Sequence, residues 1–367
     1  MKKVLFTATI DGHIRVFHQP YLNWFKENDF EVHVAAKGDE SFVDATFKYP
    51  IDFQRSPLSR QNWKAYKQLK SIIEKETFDI IHCHTPTAGV LTRLAARKSR
   101  KKGTKVIYTA HGFHFYKGAG FKNWFLFFTI EWLLSFFTDV LITINKEDFS
   151  TAKKYFGSNK VRHVHGVGVD LNKYNPPTLE ENKRLRDEIG VSENDFVLVY
   201  PAEFSHRKNQ PMLIKAVHKA KEQIPSIKLL LAGRGDFEPL AKLVSELNLD
   251  DTVINLGFRY DIDKFIRSSD IGVSTSRQEG LPINVLEAMS SGKAMVVTNV
   301  RGNYDLVDEG ENGFLVELGD IDSFANRIID LFRNNRDIMQ TNSVKKSHNF
   351  SLEIALPETI EIYKSLL

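Results

Sequence analysis

Two glutamates eight positions apart, Glu279 and Glu287, frame the turn Gly280-Leu281-Pro282. Residues 270–274 ahead of them read as a short strand and residues 294–298 behind them as another. The stretch between is therefore a strand–loop–helix–strand crossover. Pro282 is expected at the first helical position, where its missing N–H is no loss, and Gly292 just past the last turn. Glu279 then lies in the loop ahead of the helix, and Glu287 about one and a half turns into it. The amides of residues 280–284 stand at a helix N-terminus, where the dipole favours an anion. One acid for a polar group, amides for a phosphate and a second acid for hydroxyls suit, in that order, a sugar, a diphosphate and a ribose.

These residues need elements to position them. In the first half, strands are expected at 4–9, 32–36, 80–84, 106–109, 140–144 and 161–164, with helices running to about 26 and near 63–75 and 88–101. In the second half, a helix near 180–189 precedes strands at 196–200, 228–232 and 253–256. Buried strands alternating with amphipathic helices predict parallel, doubly wound sheets, whose ligands lie beyond the carboxyl ends of the strands. The loops at 10–15, 84–87 and 110–118 are thus the candidate binding loops of the first half. Gly12 in the first of them permits either a tight turn or a close backbone approach to a ligand. His111 directly follows a strand and should project at the sheet's carboxyl end. His82 and His84 share one strand face, but no Asp, Glu or Cys cluster accompanies them, so no metal is assigned. Gly233-Arg234-Gly235 is too short for a dinucleotide fingerprint and reads as a turn.

At 367 residues the chain has room for two domains. The connector at 166–177, rich in glycine and proline, divides an expected first domain, 1–168, from a second, 169–350, followed by a last helix, 351–367. The formal charge of +4 does not demand a nucleic-acid partner, and the single cysteine, Cys83, excludes an internal disulfide. The first residues turn polar at Asp11, too soon for a signal peptide, and no apolar run reaches the ~18–20 residues of a membrane span. A cytoplasmic protein is expected, able to sit at the inner face of the plasma membrane. The basic run from Arg93 to Lys102 and the aromatic stretch 120–137 bear on that seat. The run is read as attracted to an anionic membrane, and the stretch as a helix buried between sheet and cleft.

The Glu279–Glu287 stretch, with Leu286, Ala288, Met289 and Gly292, resembles the E-x7-E signature of retaining glycosyltransferases of family 4. The match continues through Val297, Thr298, Gly302 and residues 310–316, and weaker similarity covers nearly the whole chain. The run from Ala110 to Gly118 is similar to the subgroup that builds capsules and exopolysaccharides. The resemblance implies a GT-B fold, two Rossmann-like α/β domains facing a cleft, with acceptor bound by the first and nucleotide sugar by the second. It implies transfer from a nucleoside diphosphate sugar, UDP on family grounds, to a hydroxyl of a glycan or lipid-linked glycan, with no cofactor and no metal. Residue by residue, Glu279 would contact hydroxyls of the donor sugar, residues 280–283 (Gly280, Leu281, Pro282, Ile283) would present amides, and Glu287 would accept from both ribose hydroxyls. His111 would contact the transferred sugar and Gly12 would approach the donor phosphates. Backbone near Phe258 and Arg259 would lie by the base. Lys208 matches the lysine that steadies the leaving diphosphate. Glu203, however, stands where the family has an arginine, and Arg207 is the candidate to compensate. Two other readings use the same scaffold: a nucleotide-sugar epimerase, and a non-catalytic partner subunit favoured by Glu203.

Overall fold

The computed structural model describes residues 1–367 except 40, 43, 57, 58 and 335. Its strands, all parallel, form two sheets. The first contains β1 (Lys2–Ile10), β2 (Phe30–Lys37), β3 (Phe47–Pro50), β4 (Ile80–His84), β5 (Lys105–Ala110), β6 (Val140–Thr143) and β7 (Val161–His163) in the order β3-β2-β1-β4-β5-β6-β7. The second contains β8 (Phe196–Pro201), β9 (Ile227–Ala232), β10 (Val253–Asn255), β11 (Ile271–Ser274), β12 (Ala294–Thr298) and β13 (Gly313–Val316) in the order β10-β9-β8-β11-β12-β13. Central strands such as β4 and β12 are buried along their whole length, as expected where helices cover both faces.

Residues 1–168 with 353–367 make up the first unit and residues 169–352 the second. The helix Leu352–Lys364 lays Tyr363 into the first unit, where its hydroxyl is 2.7 Å from His82 Nδ1. His82 Nε2 is 2.8 Å from the Thr109 hydroxyl, so both its ring nitrogens are satisfied inside the core.

Each sheet reverses its strand order once, between β1 and β4 in the first and between β8 and β11 in the second. The crevice beyond such a reversal is where open α/β sheets bind ligands. The segments leaving β1, β4, β8 and β11 therefore matter most. The segment leaving β1 differs from expectation: residues 11–17 form a helix rather than an open loop. Gly12 lies inside it with an ordinary backbone angle, and nothing would stand within 4 Å of a Cβ there, which removes the tight-turn reading. Pro282 also sits one position earlier than expected, capping the helix Ile283–Ser290. Gly292 follows that helix at φ +73°, a conformation that favours glycine.

Gly233 and Gly235 do more than turn the chain. A Cβ on Gly233 would meet the Ala202 carbonyl oxygen at 1.9 Å, and one on Gly235 the Phe204 carbonyl oxygen at 2.6 Å. Both glycines let the loop leaving β8 lie directly on the end of β9. Gly233→Ala is expected to destabilise the protein by about 1–3 kcal/mol, the usual cost of overpacking. The displaced loop also carries Lys208, and thermal melting checks the loss of stability.

Candidate active site

The second unit assembles a cluster of charged side chains at its reversal. Beyond β8 the chain enters residues 202–209, and three contacts clamp this loop. The Tyr200 hydroxyl donates to the Lys208 carbonyl at 2.9 Å, the Thr275 hydroxyl to the Asn209 carbonyl at 2.9 Å, and the Arg277 N–H to the Arg207 carbonyl at 2.8 Å. Since 275–277 directly follow β11, the same clamp brings Glu279 opposite Lys208. Lys208 Nζ lies 2.6 Å from Glu279 Oε1, and Arg207 Nη1 lies 2.9 Å from Oε2.

Glu279 and Lys208 are both buried. Burial alone pushes the Glu279 carboxyl up. The charges of Lys208 and Arg207, with hydrogen bonds from Lys208 and Ser276, outweigh it and hold the group below the usual carboxylate range. Arg207 is 42% exposed, and its other terminal nitrogen is 3.1 Å from Glu203 Oε1. Glu203 thus orients the guanidinium that points at Glu279. Adjacent in sequence, Arg207 and Lys208 converge on one carboxylate and form a two-cation surface at the carboxyl end of β8.

The turn 280–282 is held from behind. Buried Arg301 donates from Nε to the Glu279 carbonyl at 2.9 Å. Gly302, at φ +82°, packs so closely that a Cβ there would meet the Gly280 carbonyl oxygen at 2.6 Å. Leu281 and Ile283 pack on the core beneath. Pro282 has no N–H, and Val285 and Leu286 bond back to its carbonyl. A ligand therefore has the amides of Gly280, Leu281, Ile283 and Asn284, not a continuous run through 282.

Glu287 is the fifth residue of the helix Ile283–Ser290, partly buried. Burial pushes its carboxyl up to about 7, against a hydrogen bond from Tyr174 and the charge of Lys173. Tyr174 is buried and belongs to the connector after Gly168. Phe258 and Arg259 are exposed in the segment after β10, the edge strand. Arg234 stacks on the Phe258 ring 4.1 Å from its centroid, and Arg259 is paired with Asp261 at 2.7 Å. This segment is tied to the β9 end by a bond from the Gly233 N–H to the Gly257 carbonyl.

In the first unit, His111 follows β5 as expected and is joined at the reversal by His13, His18 and His84. Burial pushes the His111 imidazole down to about 4, so it is neutral at physiological pH. A cavity of about 630 Å³ opens beside His13, lined by Ile10, Val90, Tyr108, Phe115, Phe127 and Ile130 among others. The adjacent helical stretch 121–135 is not buried as expected. Phe121 and Phe125 are 82% and 70% exposed, and Leu126, Trp132, Leu133 and Phe136 also face outward. Its Glu131 instead turns inward to buried Arg93, in a two-bond pair at 2.7 and 3.0 Å. The basic run is thus partly neutralised: Arg93 pairs with Glu131 and Arg100 with Asp139, while Arg97, Lys98, Lys101 and Lys102 stay exposed.

Comparison with known proteins decides the family. The chain is 47% identical over 335 residues, 90% of its length, to the Bacillus subtilis protein EpsD, which bears the name of a glycosyltransferase and is covered over 87% of its own length. This chain is a glycosyltransferase of that family. The family profile "Glycosyl transferases group 1" matches residues 181–350, and "Glycosyl transferase 4-like" matches residues 3–145. Identity is 32% over 288 residues, 74% of this chain and 73% of the relative, to an Escherichia coli UDP-Gal:alpha-D-GlcNAc-diphosphoundecaprenol alpha-1,3-galactosyltransferase. The fold is GT-B, shared with Anabaena HepE solved in complex with UDP and glucose, at TM-score 0.81 and 22% identity over the full length of both chains.

Among the residues that position this glycosyltransferase site, Tyr174, Ser276 and Arg301 carry no spacing signal that marks them in the sequence. Gly302 beside Arg301 is the nearest hint.

Proposed function

We propose that this glycosyltransferase moves a hexosyl or N-acetylhexosaminyl group from a uridine diphosphate sugar to a hydroxyl of a glycan or lipid-linked glycan. The sugar retains its anomeric configuration, no metal sits on the diphosphate, and the product belongs to a bacterial-type surface polysaccharide. The convergence of Lys208 and Arg207 on buried Glu279 at the β8–β11 reversal carries this reading. Two fixed cations there neutralise the charge that develops on a departing diphosphate, as preorganised electrostatic stabilisation requires. The amides of Gly280, Leu281 and Ile283 hold phosphate oxygens, Glu279 takes sugar hydroxyls, and Glu287, steadied by Tyr174, accepts from the ribose. The bond from the anomeric carbon to the phosphate oxygen breaks as the acceptor oxygen forms its bond on the same face, and the acceptor proton passes to that phosphate oxygen. Neutral His111 contacts the transferred sugar without adding charge, Gly12 leaves room for the donor phosphates, and Phe258 and Arg259 lie by the base.

Thermal melting with UDP, GDP or ADP, each with and without a chelator, tests the donor site. UDP should raise the midpoint in either condition, by about 2.7 kcal/mol of stabilisation at a hundred times Kd. A shift that needs an added metal ion contradicts the diphosphate reading. No shift with any nucleotide favours the non-catalytic subunit, for which Glu203 in place of an arginine is the observation.

The same reading seats the enzyme on the cytoplasmic face of an anionic membrane. No helix among the described residues is long and apolar enough to cross one. The outward aromatic side chains of 121–136 and the exposed Lys98, Lys101 and Lys102 supply apolar insertion and charge, each lysine contributing about 1 kcal/mol near such a surface. The cavity lined by Phe115, Phe127 and Ile130 takes the apolar part of the acceptor. Sedimentation with vesicles should show salt-sensitive binding to anionic but not neutral lipid; equal binding to both, or to neither, contradicts the seat.

A further inference from the structure

Four imidazoles from separate segments meet at the reversal of the first sheet: His13 and His18 after β1, His84 at the end of β4, and His111 after β5. His13 Nε2 lies 3.3 Å from His111 Nε2 and 3.4 Å from His18 Nε2, and His111 Nε2 lies 3.3 Å from His84 Nδ1. One ring nitrogen from each of the four histidines lies within 4.8 Å of the others.

Hydrogen bonding accounts for only part of this arrangement. A neutral imidazole nitrogen either carries one proton or offers one lone pair. His13 Nε2 and His111 Nε2 each have two nitrogen neighbours, so at most two of the three contacts can be linear hydrogen bonds. The spacing suits a different role. Four nitrogens about 2.0–2.1 Å from a tetrahedral ion stand about 3.3–3.4 Å apart. His82, two residues before His84, is excluded because both its nitrogens are bonded elsewhere.

We propose that His13 Nε2, His18 Nε2, His84 Nδ1 and His111 Nε2 form a tetrahedral site for a divalent transition ion of the zinc type. All four ligands belong to the first unit; His111 is also the residue that the proposed function sets against the transferred sugar, so metal binding rather than turnover is the readout of the test. The ion ties the exits of β1, β4 and β5 together, and it stabilises the folded chain by mass action.

Cobalt(II) titration of the full chain, purified without a histidine tag and stripped of metal, tests the site. One equivalent should give the intense visible absorption of tetrahedral cobalt, zinc should displace it, and the melting temperature should rise. His13→Ala and His111→Ala should each weaken cobalt binding by more than about 100-fold, beyond what loss of an outer-shell partner causes. His114→Ala, outside the cluster, should leave binding intact and serve as control. Three results would overturn the site: the weak spectrum of octahedral cobalt, binding that does not saturate at one ion per chain, or unchanged affinity in both cluster variants when they melt cooperatively.

Discussion

Glu287→Gln is expected to melt above the wild type at pH 8 and to bind UDP about 100-fold more weakly. The stability gain follows from the carboxyl's displacement to about 7 by burial. Its unfolded value is about 4.3, so the folded chain holds the proton more tightly than the unfolded one. The stability this contributes is complete below about pH 4 and is lost as pH rises through 7. At pH 8 the wild type has lost about 4 kcal/mol on this account, and a neutral glutamine has not. Below about pH 4 the two proteins should melt alike. The binding loss follows from chemistry, because each hydrogen bond to a charged acceptor contributes about 1.5–3 kcal/mol. For the same reason wild-type affinity for UDP should fall as pH drops below 7. Melting curves at pH 4 and 8, with calorimetric titration of UDP, check both halves. Equal melting at both pH values would mean the carboxyl is not displaced, and unchanged affinity would put the ribose elsewhere.

Lys208→Met should have the larger effect on turnover. It removes one of the two cations that the proposed function sets against the departing diphosphate and leaves buried Glu279 with Arg207 as the remaining cation of the pair. Loss of one preorganised group of this kind lowers turnover by about 100–1,000-fold, and stranding a buried charge costs about 3 kcal/mol. The Glu279 carboxyl is held below its usual range. The pair's stability is therefore present above the unfolded value of about 4.3 and lost as pH falls through the folded one. The double variant Lys208→Met/Glu279→Gln separates the two effects. It should recover most of the lost stability and none of the turnover. A double variant as unstable as the single one would show that a stranded charge is not the cause.

The alternation of buried strands and amphipathic helices made both sheets legible from the sequence. The edge strands β3 and β13 are not marked in the sequence: β3 has four residues that include Pro50 and lack a buried face, and β13 is equally short. Residues 10–15 read as a loop, although Asp11–Phe17 is a helix, because Gly12 interrupts a run too short to show helical periodicity. Glu279, Lys208 and His111 were legible from their places after strands and from the family motif. The partner of Glu279 was harder to see. Whether Arg207 points with Lys208 or away depends on a contact with Glu279 across 72 positions, which no local pattern encodes. Four histidines from three strand exits likewise meet only once the strand order is known. The outward aromatic face at 121–136 was read as buried because hydrophobic content alone does not say which side of a helix the core takes.

The account rests on sugar transfer from a uridine nucleotide. Its most direct test is incubation of the enzyme with α-linked UDP-hexoses and UDP-N-acetylhexosamines, each with lipid-linked diphosphosugar acceptors and chelator, and product configuration read by nuclear magnetic resonance. The account predicts release of UDP matched by an α-linked product. A β-linked product would contradict retention. An epimerised donor without transfer, or no reaction in a protein that still binds UDP, would contradict the assignment of transfer itself.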